Sequence, residues 1–276
     1  MGKLPVEHSK ILAKLLDRSY DDLLKPPFSK IGKALGGVIG FTTIPFRGLG
    51  LVSDIVDVKI RKFLEDYHVQ LNGVPDDRVS EVPPEILVPT LEKVRYVRDE
   101  DIREMFLKLL MKASDKETIH LAHPGFPTVI SNISSDEAIL IEYFSQLEKS
   151  SIPLVSVRCE FGPQKVKRRG KTLLIEEGIQ ESPMLTGIED EVKLTFSHNI
   201  AVYFSNLEGL GLIRMTSGVL AEHYYTKLIQ KYEPLREKLE GIGHGRKGRD
   251  YPFYFARGYY TITEYGRLFI DACVKD

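Results

Sequence analysis

Two segments near the C-terminal end, NLEGLGLIRM at residues 206–215 and GYYTITEYGRLFIDAC at residues 258–273, constrain the fold more than any others. Ile200, Tyr203, Phe204 and Leu207 recur at helical spacing and predict a helix over residues 196–209, which the glycines of EGLGLIRM stop. Leu212 to Met215 then reads as a short strand, and Tyr259 to Ile262 as its partner. Thr263 is placed to cap a last helix whose inward face is Tyr265, Leu268, Phe269, Ala272 and Cys273. Helix, strand, long insertion, strand, helix is the order of a winged helix with an expanded wing, and the insertion carries its own helical pattern near residues 219–240. Upstream, IPLVSVRCEF at 152–161 and KTLLIEE at 171–177 read as strands on either side of a basic turn, GPQKVKRRG, at 162–170.

The N-terminal half is helical in pattern. Apolar stripes run from Ile11 to Leu24, from Val52 to Tyr67 and from Ile102 to Leu110. The stretch NGVPDDRVSEVPPE, residues 72–85, holds turn residues, acids and three prolines, and is the best candidate for a linker. The expected fold class is therefore α+β, mostly helical. Three regions are expected: an N-terminal helical region over 1–80, a central helical segment over 81–133, and a winged-helix-like domain over 134–276. A chain of 276 residues with 42% hydrophobic residues has enough apolar surface for such a core.

The stretch IHLAHPGF, residues 119–126, places His120 and His123 three apart in front of Pro124. If Pro124 opens the next helix, the two rings cannot share a helical face. A two-histidine zinc site also needs further ligands, and neither HExxH nor a cysteine-rich partner is present. The pair is read as structural, with His123 capping or packing beside the proline. Next, Ser134 to Glu137 follow the order of a capping box. The chain has two cysteines, Cys159 and Cys273, too few for a disulfide framework, and a reducing cytoplasm is the simplest compartment. The first residues carry charges too often to form the apolar core of a signal peptide.

Taken together, VRDEDIREMFLKLLMKASDKE, HPGFPTVISNISSDEAIL, and NLEGLGLI with YYTITEYGRLFIDAC resemble the Abi-alpha, or abortive infection alpha, family. The resemblance runs from about Pro84 to the C-terminus. It implies bacterial anti-phage defence without naming a reaction, and His123 and Pro124 match the family's most recognisable pair. The long wing insertion departs from the family pattern.

No residue is assigned a catalytic or metal-binding role, and no cofactor is expected, because no P-loop, GxSxG or kinase signature occurs. With a formal net charge of −1, binding to a polyanion has to come from local patches. Two such patches stand out: Lys165, Lys167, Arg168, Arg169 and Lys171 in one loop, and Arg246, Lys247 and Arg249 in another. They suit a phosphate backbone held without sequence preference. The predicted second helix, FSHNIAVYFSNLEG, has no Lys or Arg and is poorly equipped to read bases.

A different surface is offered by FSKIGKALGGVIGFTTIPFRGLG, residues 28–50, charge-free from Ala34 to Phe46. Gly32, Gly36 and Gly40 lie four apart, with Val38 and Phe41 in the apolar run between and beyond them. The run falls short of the ~20 residues of a spanning helix, which leaves a buried helix or a hairpin that meets membrane conditionally. The expected role is that of a non-enzymatic anti-phage protein working through an interaction or membrane surface, in the cytoplasm or membrane-associated. A winged-helix nucleic-acid-binding or regulatory protein is the alternative. The partner is an unknown protein or phage component, a membrane surface, or nucleic acid, and oligomerisation is compatible with all of these.

Overall fold

The structure, a computed structural model, describes residues 30–35, 54–147, 151–161, 164–168, 171–175, 178–244 and 253–275. It is α+β and mostly helical. The chain divides into two compact units, residues 1–135 with 268–276, and residues 136–267.

The first unit is helical. Helix α1, Asp54–Leu71, buries Phe63, Tyr67 and Leu71, which fall four apart and so form one stripe. Helix α2, Pro84–Val94, opens on a proline whose missing N–H costs nothing at a first turn. Helix α3, Glu100–Ala113, is capped by Asp99, whose carboxylate accepts from the Ile102 amide at 3.0 Å. The α3 core residues Ile102, Met105, Phe106, Leu109 and Leu110 are all buried, as their spacing requires. The short helix α4, Phe126–Ser131, sets Phe126 edge-on to Phe269 with ring centroids 5.2 Å apart.

Residues 72–83 do not form a linker. Val74, Val79 and Val82 are buried, the Ser80 amide donates to the Ser114 carbonyl at 2.8 Å, and Arg78 grips Asp115 with two guanidinium nitrogens. Three valines spaced among the acids and prolines supply enough apolar surface to pull the segment inward. The helical residues 30–35 pack on this loop. Ile31, Ala34 and Leu35 are buried, the Val82 amide donates to the Ala34 carbonyl at 2.8 Å, and Lys30 reaches the Val74 carbonyl at 2.8 Å.

The second unit joins helices to an antiparallel four-stranded sheet in the order β4-β1-β6-β5. Helix α5, Ser135–Gln146, leads to the long strand β1, Ser151–Phe161. Strands β2, Gln164–Arg168, and β3, Lys171–Ile175, form a separate two-stranded ribbon, and β4, Gly178–Glu181, returns to β1. The ribbon corrects the expectation of a basic turn over 162–170: residues 164–168 are a strand, with Arg168 in register with Lys171. Alternation of Gln, Val and Arg with the lysines satisfies the period-2 pattern, which the density of charge concealed. The strands expected over 152–161 and 171–177 are present as β1 and β3, and β1 pairs with β4 and with β6, Tyr254–Ile262.

Helix α6, Ile200–Gly209, precedes strand β5, Ile213–Thr216, which pairs with β6 from Ile213 opposite Ile262 to Thr216 opposite Tyr259. Between β5 and β6 stands helix α7, His223–His244. It forms part of the core: Tyr225 and Leu228 pack on Val155, and Leu235 and Leu239 lie against Val157, Cys159 and Phe253. Helix α8, Glu264–Cys273, is capped as expected, with the Gly266 amide donating to Thr263 Oγ1 at 2.9 Å. Gly266 is obligatory there, because a Cβ would sit 2.0 Å from the Leu212 carbonyl oxygen. The expected order of helix, strand, insertion, strand and helix is thus present, built into a wider sheet.

Candidate functional site

His123 sits in an exposed turn, where its Nδ1 accepts from the Gly125 amide at 3.0 Å and its ring lies 5.4 Å from that of Phe126. Helix α4 starts at Phe126, so Pro127 and not Pro124 occupies its first turn, while Pro124 belongs to the preceding turn. A proline is tolerated at either place, which is why spacing alone could not separate them. His120 lies on a short 3-10 turn, Ile119–Leu121, and faces solvent. Among the described residues no group of His, Cys, Asp or Glu is arranged to hold a metal ion.

Of the basic residues singled out in the sequence, Lys165, Lys167, Arg168 and Lys171 fall on the β2–β3 ribbon. Arg169, Arg246, Lys247 and Arg249 lie outside the described residues, as do Gly36, Val38, Gly40 and Phe41. Gly32 is on the helical segment 30–35 and is half-buried. Among the described residues no helix is long and apolar enough to cross a membrane.

The groups whose ionisation is displaced hold the architecture together. Asp136, buried in the second unit, is pushed up by burial, but the amides of Thr195 at 2.7 Å and Phe196 at 2.9 Å and the Tyr203 hydroxyl at 2.7 Å outweigh that. The net direction is down. Beside it, Glu137 accepts from Asn206 Nδ2 at 2.8 Å. Burial and the Asp136 bond both push the Tyr203 hydroxyl up. In the first unit the Arg78 guanidinium holds Asp115 below its ordinary range. Burial raises the Cys273 thiol well above its usual value, which keeps it protonated and unreactive.

One cleft, of about 420 Å³, opens in the first unit between α1 and the turn joining α2 to α3. Lys59, Lys62, Arg98 and Arg103 line it with Glu100, over a floor that includes Val94 and Val97. Lys59 Nζ donates to the Val97 carbonyl at 2.7 Å, which ties α1 to the turn. Arg103 is committed to Asp66 and Glu100, while Lys62 lies 3.8 Å from Glu100 and Arg98 has no ion pair or hydrogen bond among the described residues. This cluster is not among the candidate residues named from the sequence. Its signal was there in KIRK, residues 59–62, and KVRYVR, residues 93–98, two short basic runs that mean little until the fold brings them together.

A family model for abortive infection alpha matches residues 56–273. The chain belongs to the abortive infection alpha family. The match takes in both units, from α1 through α8, and so includes the His123–Pro124 turn, the β2–β3 ribbon and the basic cleft. A search of curated proteins finds no match. Among solved structures, an uncharacterized protein from the hydrocarbon-degrading marine bacterium Alcanivorax borkumensis SK2 is similar at 15% identity and a TM-score of 0.34, covering 58% of this chain and 96% of its own.

Proposed function

We propose that this abortive infection alpha protein serves anti-phage defence by binding through its own surfaces, without catalysing a reaction. The observation that carries the binding half of the reading is the β2–β3 ribbon. Four basic residues, Lys165, Lys167, Arg168 and Lys171, fall on ten paired strand positions, apart from the sheet that carries the core. A cationic two-stranded ribbon has the shape and charge to follow a polyanion backbone. The displaced carboxylates support the non-enzymatic half, because Asp136 and Asp115 are bound into architectural contacts and are not free to exchange protons with a substrate. The cytoplasm, with membrane association on triggering, is the compartment that fits this reading. A phage component, a protein, a membrane surface or nucleic acid are its candidate partners.

A winged-helix nucleic-acid-binding or regulatory role is the second reading, favoured by the order α6, β5, α7, β6, α8. Helix α6 offers Ala201, Val202, Ser205 and Glu208 to solvent, a face suited to protein contact better than to base edges.

Phage challenge of cells carrying the gene tests the proposal. Protection at low multiplicity of infection that disappears at high multiplicity, and that is weakened by Lys167→Ala with Arg168→Ala, is the expected result. No protection against a broad phage panel would overturn the defence reading. Protection untouched by the ribbon variant would overturn the role of the ribbon.

A further inference from the structure

The cleft of the first unit has features that the ribbon lacks. Two basic runs from different elements contribute to it, the KIRK run of α1 through Lys59 and Lys62, and the KVRYVR run at the end of α2 and in the turn after it through Arg98. The Lys59 bond to the Val97 carbonyl ties the two runs together. Arg103 is occupied by Asp66 and Glu100, so the cations placed to meet a ligand are Arg98 and Lys62, which is 62% exposed and would give up a long 3.8 Å pairing with Glu100 to do so. Tyr96, 73% exposed, lies in the turn two residues along the chain from the cleft-lining Arg98. The Arg95 guanidinium lies 6.0 Å from its ring centroid, a cation beside an aromatic ring that stays open to solvent.

An exposed aromatic ring two residues along the chain from a cleft-lining cation matches the chemistry of an unpaired nucleotide: the phosphate meets the cations, and the base stacks on the ring. A duplex satisfies only the first half, because its bases are already stacked and paired. We propose that the first unit binds single-stranded nucleic acid, seating backbone phosphate at Lys62 and Arg98 and stacking a base on Tyr96. This site is separate from the β2–β3 ribbon and does not depend on it.

Fluorescence anisotropy of the full chain with a labelled oligothymidylate, and with a duplex of the same length, provides the test at low salt. The single strand should bind more tightly than the duplex. Lys62→Ala with Arg98→Ala should weaken single-strand binding at least about tenfold and reduce the slope of log K against log salt by ~1.4, as two phosphate contacts on a single strand require. Tyr96→Ala should cost about tenfold on the single strand and little on the duplex, with Tyr96→Phe restoring binding, since stacking needs the ring and not the hydroxyl. These side chains are on the surface, and circular dichroism of each variant should match the parent. Equal binding by Tyr96→Ala and the parent would overturn the proposal, as would duplex binding as tight as single-strand binding. It would also be overturned if these variants lost binding to phosphatidylglycerol vesicles while the oligonucleotide never bound. Loss of all oligonucleotide binding in the Lys167→Ala, Arg168→Ala ribbon variant, with Tyr96→Ala unaffected, would assign binding to the ribbon and likewise refute this site.

Discussion

Each unit fastens a loop with a buried aspartate, but the fastenings differ in kind. In the first unit Asp115 meets the charged guanidinium of Arg78, which is a third exposed, and also accepts from the Glu117 amide at 3.0 Å. In the second unit Asp136 is held by uncharged donors: two amides and a tyrosine hydroxyl, 59 to 67 residues further along the chain, converge on one carboxylate. An ion pair at a partly wet site is weakened by salt and can exchange its partner for water. A carboxylate surrounded by fixed neutral donors responds little to salt and leaves several groups unpaired if it is removed. The second unit should therefore be the more brittle of the two.

The sharpest way to break that contrast uses glycines. In the second unit, Gly266→Ala would drive a Cβ to 2.0 Å from the Leu212 carbonyl, a backbone atom that can move only by displacing β5 from the start of α8. A loss of about 3–4 kcal/mol is expected. The first-unit counterpart is Gly73, whose added Cβ would meet only the Gln70 carbonyl at 3.2 Å. Gly73→Ala should stay within about 1 kcal/mol, because a small shift of the turn is enough. Chemical denaturation of both variants checks this, and similar losses in the two would show that brittleness is not particular to the second unit.

What could be read in the sequence follows the range of the interactions involved. The Thr263 cap and the pairing of β5 with β6 were legible, since the cap acts over three residues and the strands alternate plainly. The burial of α3 followed from spacing. By contrast, the Asp136 network joins residues about sixty apart, and an Asp within a helix-capping sequence looks the same whether or not it is buried. The 72–83 loop misled because prolines and acids signal turns while three valines decide burial. In the same way lysines hid β2. The basic cleft was invisible because its two halves belong to separate helices and each alone reads as a solvated charge run.

Removing the aspartates themselves gives the next largest effects. Asp136→Ala should cost about 3 kcal/mol, the cost of unpairing the buried Tyr203 hydroxyl and two partly buried amides. Asp115→Ala should cost about 2 kcal/mol, because water can reach Arg78 once the pair is gone. Raising salt should narrow the second difference and leave the first unchanged. An Asp136→Ala loss that salt abolishes would show that an unseen cation, and not the neutral donors, holds this carboxylate.

Both carboxylates titrate lower in the folded chain than their ordinary value, so both contribute stability that is present above about pH 4 and fades as pH falls through the folded values. Melting temperature should therefore hold steady from neutral pH to the unfolded carboxylate range and drop below it. Asp136→Asn should be less stable at neutral pH and lose less on acidification than the parent. An unchanged acid limb in Asp136→Asn would remove this aspartate from the account of acid sensitivity and leave Asp115 to carry it.

The smallest expected effect tests whether the first unit tolerates loss of a local bond even at the His123–Pro124 turn. His123 is exposed, accepts from the Gly125 amide, and lays its ring against Phe126. Water can replace that acceptor, and Phe126 remains buried against Phe269 whether or not the imidazole covers it. His123→Ala should therefore cost about 0.5–1 kcal/mol, and His120→Ala, whose ring faces solvent, nothing measurable. Neither variant should change metal content. Denaturant melts beside elemental analysis check both statements: a His123→Ala loss as large as that of Asp136→Ala would mean that this turn organises more of the first unit than its visible bonds explain. Near-equimolar zinc that vanishes in the double variant would replace the structural account of the histidines with a metal site.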